Sequence, residues 1–376
     1  MADLRVLSIF GTRPEAIKMA PVVKALEVTA NIDSRVCVTA QHREMLDQVL
    51  ELFKIKPAID LNLMKPNQSL ANLTAQILEA IDPVLAEENP DWVLIQGDTT
   101  TVMAASLAAF YRGIKVGHVE AGLRTNDKLQ PFPEEINRRI ASVTADLHFA
   151  PTQLSRQNLL NEGISDRHII VTGNPAIDAL QQIVTMPSPA QVDKWLNEWG
   201  ISQGERRLVL ITAHRRENIG QPIEAISNAI TALARHYGDS VQFVYPVHLN
   251  PNIQHTVKQL LTAVPGVTLL PPLEYISLVH LMKAATLILT DSGGIQEEAT
   301  GLGKPALVLR EKTERPEGVT AGVLKLVGTD TDKIVTETRR LLDDAKAYDA
   351  MAHAENPFGD GHAAGRIVKG LLEYTA

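Results

Sequence analysis

Three residues with acid–base side chains follow apolar runs of the sequence, either directly or after two positions: Asp98, Glu120 and His214. A carboxyl group held at the end of a buried strand has a raised pKa and can exchange protons near neutrality. Histidine is the side chain whose ordinary pKa already lies in that range. These positions predict proton transfer. Asp98 is equally compatible with capping the helix that follows it, and His214 with a purely structural role.

A second acidic group lies in the segment Pro131–Arg139, which has helical spacing. Glu134 and Arg138 are four positions apart, and Glu135 lies beside them. Most such sets are surface ion pairs that contribute a few tenths of a kcal/mol. The loop that precedes this helix is expected at the same edge as the acid–base residues, and this favours a functional role for Glu134 and Arg138.

The segment Leu287–Glu298 is typical of a diphosphate site, because a buried strand leads through two glycines into a helix. Gly293 and Gly294 allow the backbone to approach a ligand, and a helix start offers free N–H groups to phosphate oxygens. Glu297 and Glu298 lie about one turn later, within reach of ribose hydroxyls. An ordinary strand-to-helix turn with a solvated glutamate pair is the alternative interpretation.

Cations occur at two further strand ends. Thr12 and Glu15 have the spacing of a capping box, which predicts that a helix begins there. Arg13 and Lys18 then lie near a helix start, where positive charge is unfavourable unless an anion is present. A basic pair on a solvated helix face is the alternative. Arg315 follows another apolar run, and arginine suits bidentate binding of phosphate or carboxylate.

The elements that must position these residues are short apolar runs that alternate with helical patterns. Each half of the chain has six predicted strands, and the break at Met186–Pro189 separates the two series. This alternation predicts an α/β fold of two Rossmann-like, doubly wound domains that face each other across a cleft. We expect one domain over residues 1–172 plus 360–376, with the C-terminal helix crossing back, and the other over residues 173–359. The predicted strands are Val6–Phe10, Arg35–Thr39, Trp92–Gln96, Lys115–Val119, Leu147–Ala150, Ile169–Thr172, Leu208–Thr212, Val241–Val247, Val267–Leu270, Leu287–Thr290, Ala306–Leu309 and Val323–Val327.

Composition excludes several classes of protein. The formal net charge of −8 argues against nucleic acid as a partner, and no run approaches the roughly 20 apolar residues that cross a bilayer. Cys37 is the only cysteine, so an intrachain disulfide is impossible and a reducing cytoplasm is expected. The dinucleotide, P-loop and zinc-protease motifs are missing, so neither a cofactor nor a metal is predicted.

Taken together, seven motifs strongly resemble those of the bacterial non-hydrolysing UDP-N-acetylglucosamine 2-epimerases, in the same order from Val6 to Gly361. The resemblance implies a glycosyltransferase-B-like fold and reversible conversion of UDP-N-acetylglucosamine (UDP-GlcNAc) to UDP-N-acetylmannosamine (UDP-ManNAc) for surface polysaccharide synthesis. It also implies a homodimer. The motifs are Phe10–Lys18, Gln96–Thr101, His118–Arg124, Pro131–Glu135, Thr212–Asn218, Asp291–Glu298 and Thr313–Gly318.

The resemblance also implies roles for individual residues. The residues expected to line the diphosphate, ribose and sugar region are Ser292, Gly293, Gly294, Glu298, Arg13, Lys18, His214 and Arg315. The residues expected to take part in the chemical steps are Asp98, Glu120, Glu134 and Arg138. A second, regulatory UDP-GlcNAc site is expected from Gln41, Gln68, Glu135, Arg215 and His248. A glycosyltransferase with the same donor site and a nucleotide-sugar sensor without chemistry are the competing functions.

Overall fold

The computed structural model describes residues 4–39, 43–63 and 68–374 of the 376. They form two compact units, unit 1 over Met1–Ala179 with Phe358–Ala376, and unit 2 over Leu180–Pro357. No helix within these described ranges is long and apolar enough to span a membrane.

Unit 1 contains a seven-stranded parallel sheet in the order β3-β2-β1-β4-β5-β6-β7. Its strands are β1 (Leu4–Phe10), β2 (Ile32–Val38), β3 (Ile59–Asp60), β4 (Trp92–Gln96), β5 (Lys115–Val119), β6 (Leu147–Ala150) and β7 (Ile169–Val171). Its helices are α1 (Arg13–Val28), α2 (Arg43–Leu52), α3 (Leu70–Glu88), α4 (Thr100–Tyr111), α5 (Glu134–Thr144), α6 (Gln153–Asn161), α7 (Pro175–Thr185), which runs on into unit 2, and α16 (Ala363–Glu373).

Unit 2 contains a six-stranded parallel sheet in the order β10-β9-β8-β11-β12-β13. Its strands are β8 (Arg207–Thr212), β9 (Val241–Pro246), β10 (Val267–Leu270), β11 (Leu287–Thr290), β12 (Ala306–Val308) and β13 (Leu324–Leu326). Its helices are α8 (Ala190–Glu198), α9 (Gln221–Tyr237), α10 (Pro251–Leu261), α11 (Tyr275–Ala284), α12 (Gly293–Gly301), α13 (Pro316–Thr320), α14 (Thr331–Asp343) and α15 (Ala345–Ala352).

Both sheets are covered by helices, which explains why their strands are almost continuously apolar. In unit 2, Val209, Ile211 and Phe243 of the sheet pack in one fully buried cluster with Ile226 and Ile230 of α9. The strand order reverses between β1 and β4 in unit 1 and between β8 and β11 in unit 2. Open α/β sheets bind ligands at the carboxyl ends of the strands beside such a reversal.

Candidate functional site

A polar cluster of unit 1 surrounds Glu120, which directly follows β5 and is only 5% exposed. Lys18 Nζ lies 2.6 Å from Oε1 and 2.7 Å from Oε2 of this carboxylate. Gln96 donates a short hydrogen bond to Oε2, and Asn174 Nδ2 donates to Oε1 over 2.9 Å. Glu120 therefore accepts from a cation and two amides and is held in one orientation.

The backbone explains how Glu120 leaves the strand. Its φ of 64° lies in the left-handed region, which non-glycine residues seldom adopt and which often marks a functional position. β4, which ends at Gln96, pairs with both β1 and β5, so the residues after these three strands meet at one edge of the sheet. Lys18 reaches this edge from the second turn of α1. A cation near a helix start needs an anion close by, and for Lys18 that anion is Glu120 of the same chain. Lys18 therefore does not lie on a solvated helix face.

Asp98 lies at the same edge and is bound by Arg138 of α5. Arg138 donates from Nε over 3.0 Å and from Nη2 over 2.7 Å to Asp98 Oδ2. The alternative that Asp98 caps α4 is wrong, because the N-cap is Thr99, whose hydroxyl accepts from the backbone N–H of Val102. Asp98 therefore presents a carboxylate that is partly exposed and paired with a cation.

The two glutamates at the start of α5, Glu134 and Glu135, have different surroundings. Glu135 is fully buried, lies 3.0 Å from Arg138 Nη1, and accepts the backbone N–H groups of Thr125 and Asn126. Its carboxylate therefore fixes the preceding loop and orients Arg138. Glu134 is the first residue of α5 and is half-buried.

Residue Glu15 confirms the predicted capping box, since Thr12 is the N-cap of α1. Glu15 accepts from the backbone N–H groups of Gly11 and Thr12 at 3.1 and 2.7 Å and from the Thr99 hydroxyl at 2.8 Å. Burial raises the pKa of Glu15 and outweighs the opposing effect of these hydrogen bonds. Arg13 is the first residue of α1. The N–H groups just before this helix are therefore bound by the carboxylate of Glu15.

Two buried histidines support this edge from within the sheet. His118 of β5 and His148 of β6 are direct neighbours in the strand register. Burial lowers the pKa of His118 to about 4 and that of His148 to about 3, so both are neutral at physiological pH. His118 Nε2 lies 2.8 Å from the carbonyl oxygen of Gly97 and so anchors the turn between Gln96 and Asp98.

In unit 2 the residues after β8 form a loop around Asp291, which follows β11. Asp291 is fully buried, and its Oδ2 accepts the backbone N–H groups of His214 and Arg215, both over 2.8 Å, and the Asn218 side chain over 2.9 Å. His214 is 40% exposed at its side chain and stacks on His248, with ring centroids 5.2 Å apart. His214 thus lies at the carboxyl edge, beside the strand reversal.

The two glycines at the start of α12 have different surroundings. A Cβ atom on Gly293 would lie 2.6 Å from Nη1 of Arg315, so the missing side chain makes room for that guanidinium. Arg315 Nε donates to the buried carboxylate of Glu297 over 2.5 Å. A Cβ on Gly294 would meet no heavy atom of the described structure within 4 Å. A cation is therefore held over the first residue of α12, and open space lies over the second.

Other polar groups of α12 complete this edge. Ser292 is the N-cap, but its hydroxyl makes no capping hydrogen bond, which leaves it available for a phosphate oxygen. Glu298 is buried and accepts from the hydroxyl of Tyr275 over 3.0 Å, and Glu297 is buried in its pair with Arg315. The solvated glutamate pair of the alternative interpretation is therefore wrong.

Buried Glu314 links three arginines near this edge. Burial acts to raise its pKa, but the hydrogen bonds from Arg310 and the charges of Arg315, Arg310 and Arg215 hold it at about 2. Arg310 Nη1 lies 2.8 Å from Glu314, and Arg215 Nη1 lies 4.0 Å away. Glu314 thus fixes the positions of these guanidinium groups at the edge of unit 2.

Of the five residues predicted for a regulatory site, the structure describes four, two in each unit. Gln41 lies outside the described residues. Gln68 donates to the Leu63 carbonyl and to Gln76, both in unit 1, while Glu135 is enclosed as described above. Arg215 and His248 belong to the His214 loop and its neighbour in unit 2.

The polar residues at these edges for which the sequence predicted no role include Gln96, Asn174, Asn218 and Tyr275. Gln96 ends a predicted strand and Asn174 follows one closely, so position after a strand was the available signal for both. Asn218 and Tyr275 have no such signal, because their partners are 73 and 23 residues away in the sequence.

Known proteins are similar to this chain over nearly its whole length. The family model of UDP-N-acetylglucosamine 2-epimerase matches residues 24–372. The UDP-N-acetylglucosamine 2-epimerase of Escherichia coli (strain K12) is 53% identical over 370 residues, 98% of either chain. The protein of that name from Salmonella typhimurium is 52% identical over 373 residues, 99% of either chain.

Two solved structures extend the comparison. The UDP-GlcNAc 2-epimerase of Neisseria meningitidis, bound to UDP-GlcNAc, has a TM-score of 0.93 at 51% identity and covers 99% of this chain and 100% of its own. The Methanocaldococcus jannaschii UDP-GlcNAc 2-epimerase, in complex with UDP-GlcNAc and UDP, has a TM-score of 0.83 at 34% identity, with 98% and 99% covered. The predicted α/β fold of two Rossmann-like domains is confirmed. The chain belongs to the UDP-N-acetylglucosamine 2-epimerase family, as its seven motifs predict.

Proposed function

We propose that this chain interconverts UDP-GlcNAc and UDP-ManNAc by reversible elimination of UDP, without net hydrolysis. The single observation that carries the proposal is the likeness, at 51% identity over the full chain, to a 2-epimerase bound to UDP-GlcNAc. The two polar edges described above support it, because one is rich in proton-transfer groups and the other in groups that bind anions.

The chemistry explains why both kinds of group are needed. The C2 hydrogen of an N-acetyl sugar has no adjacent carbonyl, so its direct removal is very unfavourable. Departure of UDP breaks the C1–O bond and gives C1 cationic character, which acidifies the C2 hydrogen. Loss of that proton forms the C1–C2 double bond of 2-acetamidoglucal. Return of a proton to the opposite face of C2 and of UDP to C1 gives the epimer.

Unit 2 supplies the groups that hold the departing diphosphate. Ser292 and the backbone of Gly293 and Gly294 offer hydrogen-bond donors at the start of α12, where the helix dipole favours an anion. Arg315 adds a guanidinium at this helix start, and preorganised charge of this kind is the main way that enzymes stabilise a leaving anion. His214 would face the same diphosphate. Glu298 binds the ribose, consistent with its position about one turn into the helix.

Unit 1 supplies the proton-transfer groups Asp98, Glu120 and Glu134, with Arg138 orienting Asp98. Removal and return of a proton on opposite faces of C2 need more than one acid–base group, and each such group contributes about 10²–10⁴-fold to the rate. Lys18 balances the charge of Glu120 at 2.6 Å, and Arg13 lies at the start of the same helix. The family resemblance assigns both cations to binding of the substrate.

Assembly, compartment and regulation are further parts of the proposal. We propose a homodimer, because the family resemblance implies it and because α4 and α5 carry exposed apolar side chains. Phe110, Tyr111 and Val143 are 59%, 70% and 82% exposed. Light scattering of the purified chain tests the dimer, and a monomeric mass would contradict it. We propose the cytoplasm as its compartment, because Cys37 is the only cysteine. A regulatory UDP-GlcNAc site that includes Arg215 and His248 predicts sigmoidal kinetics in UDP-GlcNAc.

The direct test is incubation with UDP-GlcNAc in heavy water, with EDTA and without NAD, followed by NMR at C2. We expect UDP-ManNAc with deuterium at C2. Unchanged substrate without exchange would contradict the proposal. Release of free N-acetylmannosamine and UDP would instead indicate a hydrolysing epimerase, and transfer of the sugar to an added acceptor without exchange would indicate a glycosyltransferase. Binding without any chemistry would indicate a sensor.

A second test addresses the role of Ser292. If its hydroxyl holds the diphosphate while the glucal is present, Ser292→Ala raises the Kd for UDP several-fold and allows glucal and UDP to leak during turnover. Ser292 makes no capping hydrogen bond, so the variant is expected to unfold at the temperature of the wild type. Tight retention of UDP with no free glucal would refute this role.

A further inference from the structure

The loop that carries His214 is held by Asp291 in an unusual way. All three hydrogen bonds to this buried carboxylate, from the backbone N–H groups of His214 and Arg215 and from Asn218, go to the same oxygen, Oδ2. The other oxygen, Oδ1, is buried and accepts no hydrogen bond from the described residues. A buried carboxylate oxygen without a donor is costly, so its position needs an explanation.

The imidazole of His214 provides that explanation. Its Nδ1 lies 3.6 Å from Asp291 Oδ1, which is longer than a hydrogen bond but within ion-pair range. Catalytic hydrogen bonds are often long before ligand is bound and shorten in the reacting complex. We propose that Asp291 is a positioning residue for His214, which keeps the proton on Nδ1 directed at the carboxylate and leaves Nε2 for the diphosphate of the substrate.

The surroundings of both residues agree with this arrangement. The ring of His248 stacks on His214 at an interplanar angle of 12°, which limits the tilt of the imidazole. The hydroxyl of Tyr245 donates to the carbonyl of Ala213 over 2.6 Å and fixes the backbone just before His214. Burial and the charge of Asp291 raise the pKa of Tyr245, so this hydroxyl keeps its proton.

Two other carboxylates near the His214 loop lie beside arginines. Arg215 lies 4.0 Å from buried Glu314, and Glu217 pairs with Arg310 at 2.8 Å. Asp291 is the carboxylate with an oxygen 3.6 Å from Nδ1 of His214. A proton on Nδ1 also lets the ring take a second proton on Nε2 and become an imidazolium beside the leaving diphosphate. This role rests on the proposed function, whereas the orientation of the ring does not.

Asp291→Asn is the sharpest probe, because the amide oxygen can accept the same three hydrogen bonds that Oδ2 accepts. The amide nitrogen then replaces Oδ1 and presents a donor to Nδ1, which favours the opposite tautomer. In serine proteases the same change at the aspartate that orients the catalytic histidine lowers kcat by about 10⁴. We expect at least a tenfold loss here, since His214 is more exposed and 3.6 Å away.

The first readout is nitrogen NMR of ¹⁵N-histidine-labelled protein, with His214→Gln to identify the resonances. In the wild type at high pH we expect the proton of His214 on Nδ1. In Asp291→Asn we expect it on Nε2, with a titration midpoint at lower pH because a nearby negative charge is lost. A wild-type His214 with its proton on Nε2 would overturn the inference, whatever the variant does.

The second readout is a double-mutant cycle on kcat. If Asp291 acts through His214, Asp291→Asn changes kcat less than twofold when His214 is already Gln. An undiminished tenfold loss in that background would mean that Asp291 only supports the loop. Asn218→Ala is the matched control, since it removes one hydrogen bond to Oδ2 without changing the charge and should leave the tautomer of His214 unaltered. Absence of epimerase activity in the wild type would refute the proposed function, and the tautomer would still test the orientation.

Discussion

Replacement of Glu120 by glutamine tests the polar edge of unit 1 most directly. Each oxygen of this carboxylate receives two donors, since Oε1 is bound by Lys18 and Asn174 and Oε2 by Lys18 and Gln96. Whichever oxygen is replaced by the NH₂ group of glutamine, that NH₂ group will face two hydrogen-bond donors and can accept from neither. Lys18 also loses its counter-charge, although its side chain is only 13% exposed.

These losses set the expected magnitude. Breaking a buried ion pair by removing one charge costs about 3–5 kcal/mol, and the lower end applies here because Lys18 retains some contact with water. A loss of about 3 kcal/mol lowers the unfolding temperature of a unit of this size by about 6–12 °C. Glu120→Gln also removes an acid–base group, which lowers kcat by about 10²–10⁴. UDP binding by unit 2 should change by less than about threefold, because no donor to the diphosphate is altered.

The assays are thermal unfolding, calorimetric binding of UDP, and kcat at 25 °C, where the variant remains folded. Lys18→Met combined with Glu120→Gln is the control, since it removes the stranded ammonium and should recover part of the lost stability without restoring turnover. If kcat stays within threefold of the wild type while the unfolding temperature falls by the expected amount, the role of Glu120 is purely structural. Unchanged stability would refute the hydrogen-bond reasoning itself.

Three further outcomes follow from the geometry. Gly293→Ala places a Cβ atom 2.6 Å from the Arg315 guanidinium, so we expect at least a tenfold loss of UDP affinity by calorimetry. Gly294→Ala meets open space and should leave thermal unfolding unchanged while it still weakens UDP binding; full affinity would exclude a close backbone approach there. The pKa values of His118 and His148 in the folded state, about 4 and about 3, lie below the unfolded value of about 6.5. Stability is therefore complete above pH 6.5 and falls as pH drops towards 4, by about 2 kcal/mol per histidine at pH 5. Denaturant unfolding at pH 7.5 and 5 measures this, and His148→Gln should reduce the difference; equal midpoints for the wild type would contradict it.

The sequence predicts most strands because buried parallel strands are continuous apolar runs bounded by polar residues. Trp92–Gln96, Lys115–Val119 and Leu287–Thr290 have the same bounds in the structure as in the prediction. β3 was missed, since this edge strand has only two residues and Ile59 alone is apolar. An edge strand of that length leaves no periodic signal.

The position of polar residues after strands was also predictable, but their pairing was not. Lys18 and Glu120 are 102 residues apart, and Asn174 is 54 residues from Glu120. Such contacts depend on strand order, which no local pattern contains. The left-handed backbone of Glu120 is likewise imposed by tertiary contacts, because glutamate itself disfavours that conformation.

The two units also differ in a way that the motifs alone do not reveal. Both sheets have a helix start beside the reversal of strand order, and both helix starts could bind an anion. In unit 1 the carboxylate of Glu15 already occupies the N–H groups of Gly11 and Thr12, and a second anion there would be repelled. In unit 2 the hydroxyl of Ser292 is not used in capping, and Arg315 lies over Gly293. We therefore propose that unit 2 supplies the backbone site for the diphosphate and that unit 1 contributes side chains. This asymmetry is the physical reason for the proposed assignment of the leaving group to unit 2 and of the proton transfers to unit 1.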